Sequence, residues 1–468
     1  MSRKGGIISG GFQPLKAPDA PTIDSVSAGV LSADVTFSAP SNTGDGTIDS
    51  YVITAKQSDG TSASATASAA GTTSVSLTAG GTTTFAAQAL SEYGPGQFSG
   101  FGNSTSVPTG QELYTWGRGS SGRTGQNDII DRSSPVQVGS LTTWSQVSLF
   151  SHAVAIKTDG TMWTWGANSY GRLGQNNGID VSSPVQVGSL TNWSQASAGG
   201  THTAAIKTDG TLWTWGNNGE GELGQNIPYT TDRSSPIQVG ALTYWSQVSA
   251  GGSQTLAIKT DGTLWAWGEN NKGQSGLNSG TTNRSSPVQV GALTTWAQVS
   301  AGDLHTGAVK TDGTLWMWGD NGFGRLGLNT NQTIDVSSPT QVGALTTWLQ
   351  VSAGVAHTCA IKTDGTLWAW GNNGSGRLGI NTNQAVDVSS PVQVGALTNW
   401  SQVSAGSSHT VAVKTDGTMW AWGDSLRGAV GDGSIIFRSS PVQVGALTTW
   451  AQGAAGNQAT AAIQQSFT

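Results

Sequence analysis

The sequence predicts an all-β protein, a small β-sandwich followed by a seven-bladed β-propeller closed by a blade shared between the two ends of its repeat array. Three observations carry that prediction. The stretch Thr363-Asp364-Gly365-Thr366-Leu367-Trp368-Ala369-Trp370-Gly371 recurs, nearly letter for letter, at Thr158–Gly166, Thr208–Gly216, Thr260–Gly268, Thr311–Gly319 and Thr415–Gly423. Trp-Gly pairs begin at 116, 165, 215, 267, 318, 370 and 422, a period of 49 to 52 residues in seven copies. All 20 Trp fall between Trp116 and Trp450, while the preceding residues are rich in Ser, Thr, Ala and Gly. A fixed period of this length indicates a repeat architecture, and the break in composition separates a leading domain from it.

The expected domains are an arm at 1–17, a sandwich at 18–108 and a propeller at 109–468. The arm is glycine-rich and aperiodic, and Arg3, Lys4, Ile7, Ile8 and Phe12 suit a segment that orders against another protein. In the sandwich, Val35–Ser38, Ile48–Ala55 and Thr82–Leu90 read as strands, separated by the loop Pro40–Gly46 and closed by Ser91–Gly96. Strands of this length and spacing suggest two antiparallel sheets. With Tyr51 after a Pro, Asn and Gly loop and a late Gly94-Pro95-Gly96 turn, the segment resembles a fibronectin type III domain. Phe37 and Phe85 stand where that family usually carries Trp and Tyr. The resemblance implies a spacer or weak adhesion module.

Each repeat contains four strand-like pieces, for example Ser389–Gly395, Trp400–Gly406, His409–Lys414 and Thr418–Gly423. The Thr415-Asp416-Gly417 turn joins the last two as a hairpin. Four strands per unit is the composition of a propeller blade. The last unit reaches Ala459–Ile463 without its Trp-Gly strand, and Leu113–Trp116 supplies one without the preceding strands, so one blade combines both ends and hides two sheet edges. The units resemble the regulator of chromosome condensation family through Trp165-Gly166, Gly171-Arg172-Leu173-Gly174 and Gly199-Gly200-Thr201-His202. That resemblance implies the fold and leaves function open, because one fold hosts many functions. The light-sensing role known in that family uses a Trp before Arg-His, where this chain has Gly200-Thr201-His202. The even repeat spacing leaves no room for the blade insertion by which the founding member acts in guanine-nucleotide exchange.

Charged residues are 10% of the chain and the net charge is −6, without a Lys or Arg run, which argues against nucleic acid as a partner. No segment is apolar enough for membrane insertion, and the N-terminus lacks a signal-length apolar core. The regular Trp placement indicates core packing. Cys359 occupies a slot held by Val154, Ala204 and Val411 elsewhere, which indicates a buried core residue. His152, His202, His305, His357 and His409 share one repeat position, with Gln254 and Ala459 in the other two copies, a pattern that suits a structural hydrogen bond better than a metal ligand. The polar residues recur around the ring, whereas catalysis needs a unique constellation. The sequence therefore predicts no catalytic residue, no metal and no cofactor.

The copies differ most between the Gly-x-Leu-Gly turn and Ser-Ser-Pro. Ile129, Ile130, Tyr229, Ile334, Ile435, Ile436 and Phe437 stand in those rim loops as candidate contact residues. By analogy of architecture, the expectation is a virion accessory protein of a tailed phage, a fibre or decoration protein made in the host cytoplasm and carried on the extracellular particle. Its arm would contact other virion proteins and its propeller a host-surface glycan or protein, with homo-oligomerisation left open. The alternative is a free protein-binding propeller, acting as an inhibitor or interaction scaffold.

Overall fold

The structure is a computed structural model that describes residues 16–29, 32–58, 60–77, 81–92, 94–107, 110–278, 280–330, 334–382 and 386–466. Arg3, Lys4, Ile7, Ile8 and Phe12 lie outside the described residues. The chain forms two compact units, the larger spanning Gln111–Gln464 and the other grouping Met1–Gly110 with Gln465–Thr468.

The leading unit packs a sheet of β1 (Thr22–Gly29), β2 (Ser32–Ser38) and β5 (Gly71–Ser76) against one built from β3 (Ile48–Gln57), β4 (Ser62–Ala67), β6 (Gly81–Ser91), β7 (Gly94–Phe98) and β8 (Asn103–Val107). Alternation sets the core: Ala33, Val35 and Phe37 from β2 meet Tyr51, Ile53 and Ala55 from β3 and Phe85, Ala87 and Ala89 from β6. The Phe37 and Tyr51 rings lie 5.1 Å apart. The Gly94-Pro95-Gly96 segment, expected as a closing turn, begins β7 instead, where Pro95 pairs with Leu90. An edge strand tolerates the missing N–H of proline.

The larger unit holds, among the described residues, seven four-stranded sheets. Six are consecutive in the chain, the first being β11 (Trp144–Leu149), β12 (His152–Lys157), β13 (Met162–Gly166) and β14 (Val181–Gln186). The remaining sheet runs β10 (Arg132–Gln137), β9 (Gly110–Gly117), Ala459–Ser466 and Trp450–Ala455, so both ends of the array share it. These sheets are β-propeller blades. Every fourth strand carries the proline of its Ser-Ser-Pro step, such as Pro184 or Pro391, which blunts the exposed edge.

The second and third strands meet in the Thr-Asp-Gly hairpin. Asp159 Oδ1 accepts Thr161 N at 2.9 Å and Thr161 Oγ1 at 2.7 Å, and Thr161 Oγ1 accepts the indole N–H of Trp163 at 2.9 Å. Gly160 has φ +75°, and a Cβ there would stand 2.1 Å from Thr191 O, so both conformation and space require glycine.

One device joins neighbouring sheets at the innermost strand. Gln298 Oε1 accepts Val351 N at 2.9 Å, and its Nε2 donates to Val351 O at 2.9 Å. Gln350 repeats this on Val403, Gln402 on Gly453 and Gln452 on Val147, which closes the ring. Ser300 Oγ likewise accepts Ala353 N at 3.0 Å.

Fourteen of the Trp are buried, but Trp163, Trp213, Trp265, Trp316, Trp368 and Trp420 are half-buried. The expectation of a uniform Trp core is corrected for these six, whose exposed faces are capped by lysine. Lys157 Nζ, for example, lies 3.7 Å from the centroid of Trp163. Cys359 is fully buried, and burial pushes its thiol up to about 12.

Candidate binding face

Successive antiparallel strands place the first–second and third–fourth strand loops of every sheet on one face, and the Thr-Asp-Gly hairpins on the other. The first of these faces gathers the residues that differ between copies. Its support is a relay repeated between sheets. His152 Nε2 lies 2.6 Å from Thr203 Oγ1 in the next sheet, and Thr203 Oγ1 donates to Arg172 O at 2.8 Å. Arg172 O also accepts the Trp215 indole N–H at 2.9 Å. Because the only hydroxyl proton goes to the carbonyl, His152 must donate from Nε2, which fixes the neutral Nε2–H tautomer. The same geometry holds for His202 with Thr255, His305 with Thr358, His357 with Thr410 and His409 with Thr460. Burial, aided by nearby arginines, pushes all five imidazoles down, His202 to about 3 and His409 to about 4. With Nε2 committed to threonine, the rings act as struts. Among the described residues no three His, Cys, Asp or Glu side chains gather as a metal site would need.

Above the relay, Arg172 Nη1 donates to Gly200 O at 2.8 Å, Arg325 Nη1 to Val355 O at 2.8 Å and Arg377 Nη1 to Ser407 O at 2.9 Å, each strapping its sheet to the next. Glu222 and Gln274 hold this position in two other sheets. Glu222 is fully buried, accepting Glu220 N at 2.8 Å and the Thr201 hydroxyl at 3.3 Å, and burial raises its carboxyl to about 7. Glu269 and Asp303 are also raised, each first by burial. This sector is acidic where the sheets of Arg123, Arg172 and Arg325 carry buried guanidinium groups.

Two aromatic side chains stand out on this face. Tyr170 has φ +66° and Phe323 has φ +65°, and they are 51% and 45% exposed. Ser121 and Ser375 hold the same left-handed position in other sheets. A bulky residue there is an outlier. Arg172 and Arg325 pack over these rings at 5.8 Å and 5.6 Å. The sequence reading passed over both, although an aromatic in a slot otherwise held by Ser, Glu, Lys and Arg was a visible signal.

The predicted rim residues Ile129, Ile130, Tyr229, Ile334, Ile435 and Ile436 are exposed, while Phe437 is half-buried. Ile179 and Val386, which the sequence reading missed, are exposed in equivalent loops. The structure brings the first and last of these loops together: Arg427 Nη1 pairs with Asp131 Oδ2 at 3.2 Å, and Gly433 N donates to Ser133 O at 2.8 Å. Tyr229 reaches across to donate to Asn283 O at 3.4 Å. The other rim residues are distributed around the ring.

The central channel, a cavity of about 270 Å³, is lined by the inner-strand glutamines and serines, with Phe150 and Asp303 among its walls. The glutamines grip the next sheet, and serine hydroxyls such as Ser300 accept a backbone N–H of the next sheet in the same way.

A ring of four-stranded blades tied by histidine, threonine and glutamine bonds defines a β-propeller of repeated units. The chain belongs to the RCC1-like domain family, whose pattern matches residues 178–467, and a regulator of chromosome condensation (RCC1) repeat matches residues 150–172. The human probable E3 ubiquitin-protein ligase HERC6 is 34% identical over 203 residues, which covers 42% of this chain and 20% of that protein. The ultraviolet-B receptor UVR8 of Arabidopsis thaliana is 34% identical over 197 residues, 41% of this chain and 44% of the receptor. The matches thus span less than half of these relatives. Among solved structures, Prp20p of Saccharomyces cerevisiae, described with its binding to Gsp1p and histones, aligns with a TM-score of 0.68 at 21% identity, covering 77% of this chain and 92% of that one.

These findings overturn the expectation of a phage virion accessory protein, its location on a virus particle and its virion partners. The relatives are RCC1-like proteins of human, plant and yeast. The virion expectation rested on domain company and a low charge count, and neither property is specific to particles; the repeat pattern is specific to the family.

Proposed function

We propose that this protein is a non-enzymatic, seven-bladed interaction propeller that binds a protein partner through the face bearing Tyr170 and Phe323. The domain division is 1–17, 18–108 and 109–468, with the leading sandwich acting as a fibronectin type III-like spacer. The single observation that carries the reading is the pair of exposed aromatic rings held at positive φ. Such strain persists only where the surroundings impose it, and it gathers at binding positions. Aromatic side chains braced by arginine are the residue types that dominate interface energetics. The exposed rim set of Ile129, Ile130, Tyr229, Ile334, Ile435 and Ile436 extends the same face, with Phe437 half-buried next to Ile436 in the chain. The binding of Prp20p to Gsp1p and histones supports protein recognition as the kind of task such a ring performs.

A photoreactive amino acid placed at Tyr170 or Phe323, and in a control at Leu293 on the opposite face, tests the reading. Crosslinking of one defined protein from Tyr170 and Phe323 but not from Leu293 is expected. Crosslinking from Leu293 alone contradicts the assignment of the face.

A further inference from the structure

Between successive sheets runs a groove that binding through the aromatic face leaves unexplained, walled by the connection at Gly343 and Leu345 on one side and by the Gly327-Leu328-Asn329 segment on the other. One such groove, about 300 Å³, is lined by Val342, Leu345, Trp348, Lys362, Trp368 and Pro391. Its walls are apolar, and Leu345 is 50% exposed at its mouth. Two donors border it. The Trp348 indole N–H is buried without a hydrogen-bond partner, in a residue only 3% exposed. Lys362 Nζ sits 3.6 Å from the centroid of Trp368 and 4.8 Å from that of Trp348, in a residue only 7% exposed, and among the described residues makes no ion pair. Asp364 acts on the lysine as a nearby charge without a direct ion pair, its Oδ1 accepting Thr366 N at 3.0 Å and Thr366 Oγ1 at 2.6 Å. Ring faces offset part of the desolvation of an ammonium, but a buried donor without an acceptor remains costly.

The arrangement repeats. A second groove of about 360 Å³ is lined by Val138, Leu141, Trp144, Trp163 and Pro184, with Lys157 Nζ over Trp163. Lys207, Lys259, Lys310 and Lys414 lie over Trp213, Trp265, Trp316 and Trp420 in the same way. The shared sheet differs in both partners at once. Gln464 pairs with Trp450 where the other sheets have lysine, and Tyr114 replaces the second indole, its ring 5.4 Å from that of Trp450. The cation and the indole beneath it are lost together.

We infer that these grooves are binding sites for a small free apolar carboxylate, its acyl chain against Leu345, Pro391 and the indole walls and its carboxylate on the Lys362 ammonium and the Trp348 N–H, with a matching site at each of the six lysine-bearing sheets. The volume suits a single small molecule, and a carboxylate gives each ammonium a direct ionic partner. Burial holds each of these lysines below its ordinary range, and a bound carboxylate raises it again.

The test is a titration of the full-length chain, labelled with ¹⁵N at the indoles, with N-acetyl-leucine and with its uncharged match N-acetyl-leucinamide. Saturable shifts of the inner-strand indole N–H signals are expected, with the acid binding at least about tenfold more tightly than the amide. Lys362→Gln removes one set of shifts and leaves the rest, and Gln464→Lys with Tyr114→Trp adds one. A tripeptide ending in Leu separates a chain terminus from a free acid, and binding by the tripeptide alone overturns the proposal. So do unmoved indole signals, or equal binding of acid and amide.

Discussion

Gln452 holds the backbone of Val147, 305 residues away in sequence, with both ends of its amide: Oε1 accepts Val147 N at 3.0 Å and Nε2 donates to Val147 O at 3.0 Å. This is the seam of the ring. Around it the hydroxyl bonds of the other interfaces, and the imidazole bonds that five of them carry, are absent. Ala459 stands in the histidine position and Ala153 in the threonine position, while Ala454 replaces the serine whose hydroxyl would meet Leu149 N. All four residues join one buried apolar cluster.

The seam therefore combines Gln452 and apolar contact with three further bonds to backbone carbonyls, Asn457 N to Phe150 O at 3.0 Å, Trp165 Nε1 to Arg123 O at 3.0 Å and Asn127 N to Ser182 O at 2.7 Å. Gln452→Ala removes both bonds and leaves Val147 N unpaired, an expected loss of about 2 kcal/mol of stability that chemical denaturation measures. Removing residues 459–468 takes a central strand from the shared sheet, and cooperative unfolding of the whole ring is the expected outcome. A truncated chain with an unchanged melting curve contradicts this account of closure.

Glu222 makes stability depend on pH. Its folded-state carboxyl is raised from 4.5 to about 7, so its neutral form is the one the fold favours. The contribution is fully present below pH 4.5 and is lost as pH rises through about 7. Glu222→Gln is expected to flatten that window and to leave the variant more stable at pH 8, by on the order of 2 kcal/mol. Glu222→Arg is expected to stabilise as well, by supplying the strap to the next sheet that Arg172 makes to Gly200 O. Melting temperatures measured from pH 4 to pH 9 decide both.

The five histidines work in the opposite sense. Their folded-state values are depressed, so their contribution is complete above the ordinary value of 6.5 and falls away in acid, for His202 as pH drops through about 3. Side-chain NMR is expected to show neutral Nε2–H imidazoles down to pH 5. A chelator is expected to leave the melting temperature unchanged, and a drop contradicts the strut assignment.

Period, hairpins, strand order and the shared sheet were legible because each lies within one copy or follows from comparing copies. What the sequence hid lies between copies. The loss of His at 459 makes sense only beside Ala153, and Gln464 only beside Tyr114 and Trp450, pairs that the ring makes neighbours. The half-buried indoles escaped for the same reason, since a lysine from the adjacent strand covers them. The rim loops could be located from their variability, but Tyr170 and Phe323 sit one turn earlier, inside a motif that otherwise looks like punctuation.

Tyr170 links strain to binding. Tyr170→Gly relieves the positive φ and is expected to raise stability by about 1 kcal/mol while weakening partner binding. Thermal melts and affinity measured on the same preparation separate the two effects, and a variant that loses stability and keeps affinity contradicts the assignment.

The most direct test of the interaction-propeller account is a hydrogen-exchange footprint of the full-length chain on its crosslinked partner, read together with the Tyr170→Ser, Phe323→Ser double variant. The account predicts protection of the loops around 120–131, 169–180 and 322–335 but not of the Thr-Asp-Gly hairpins. It also predicts an affinity loss of at least about a hundredfold in a variant that melts no lower than the parent. Protection confined to the hairpin face, with affinity unchanged in the double variant, would contradict it.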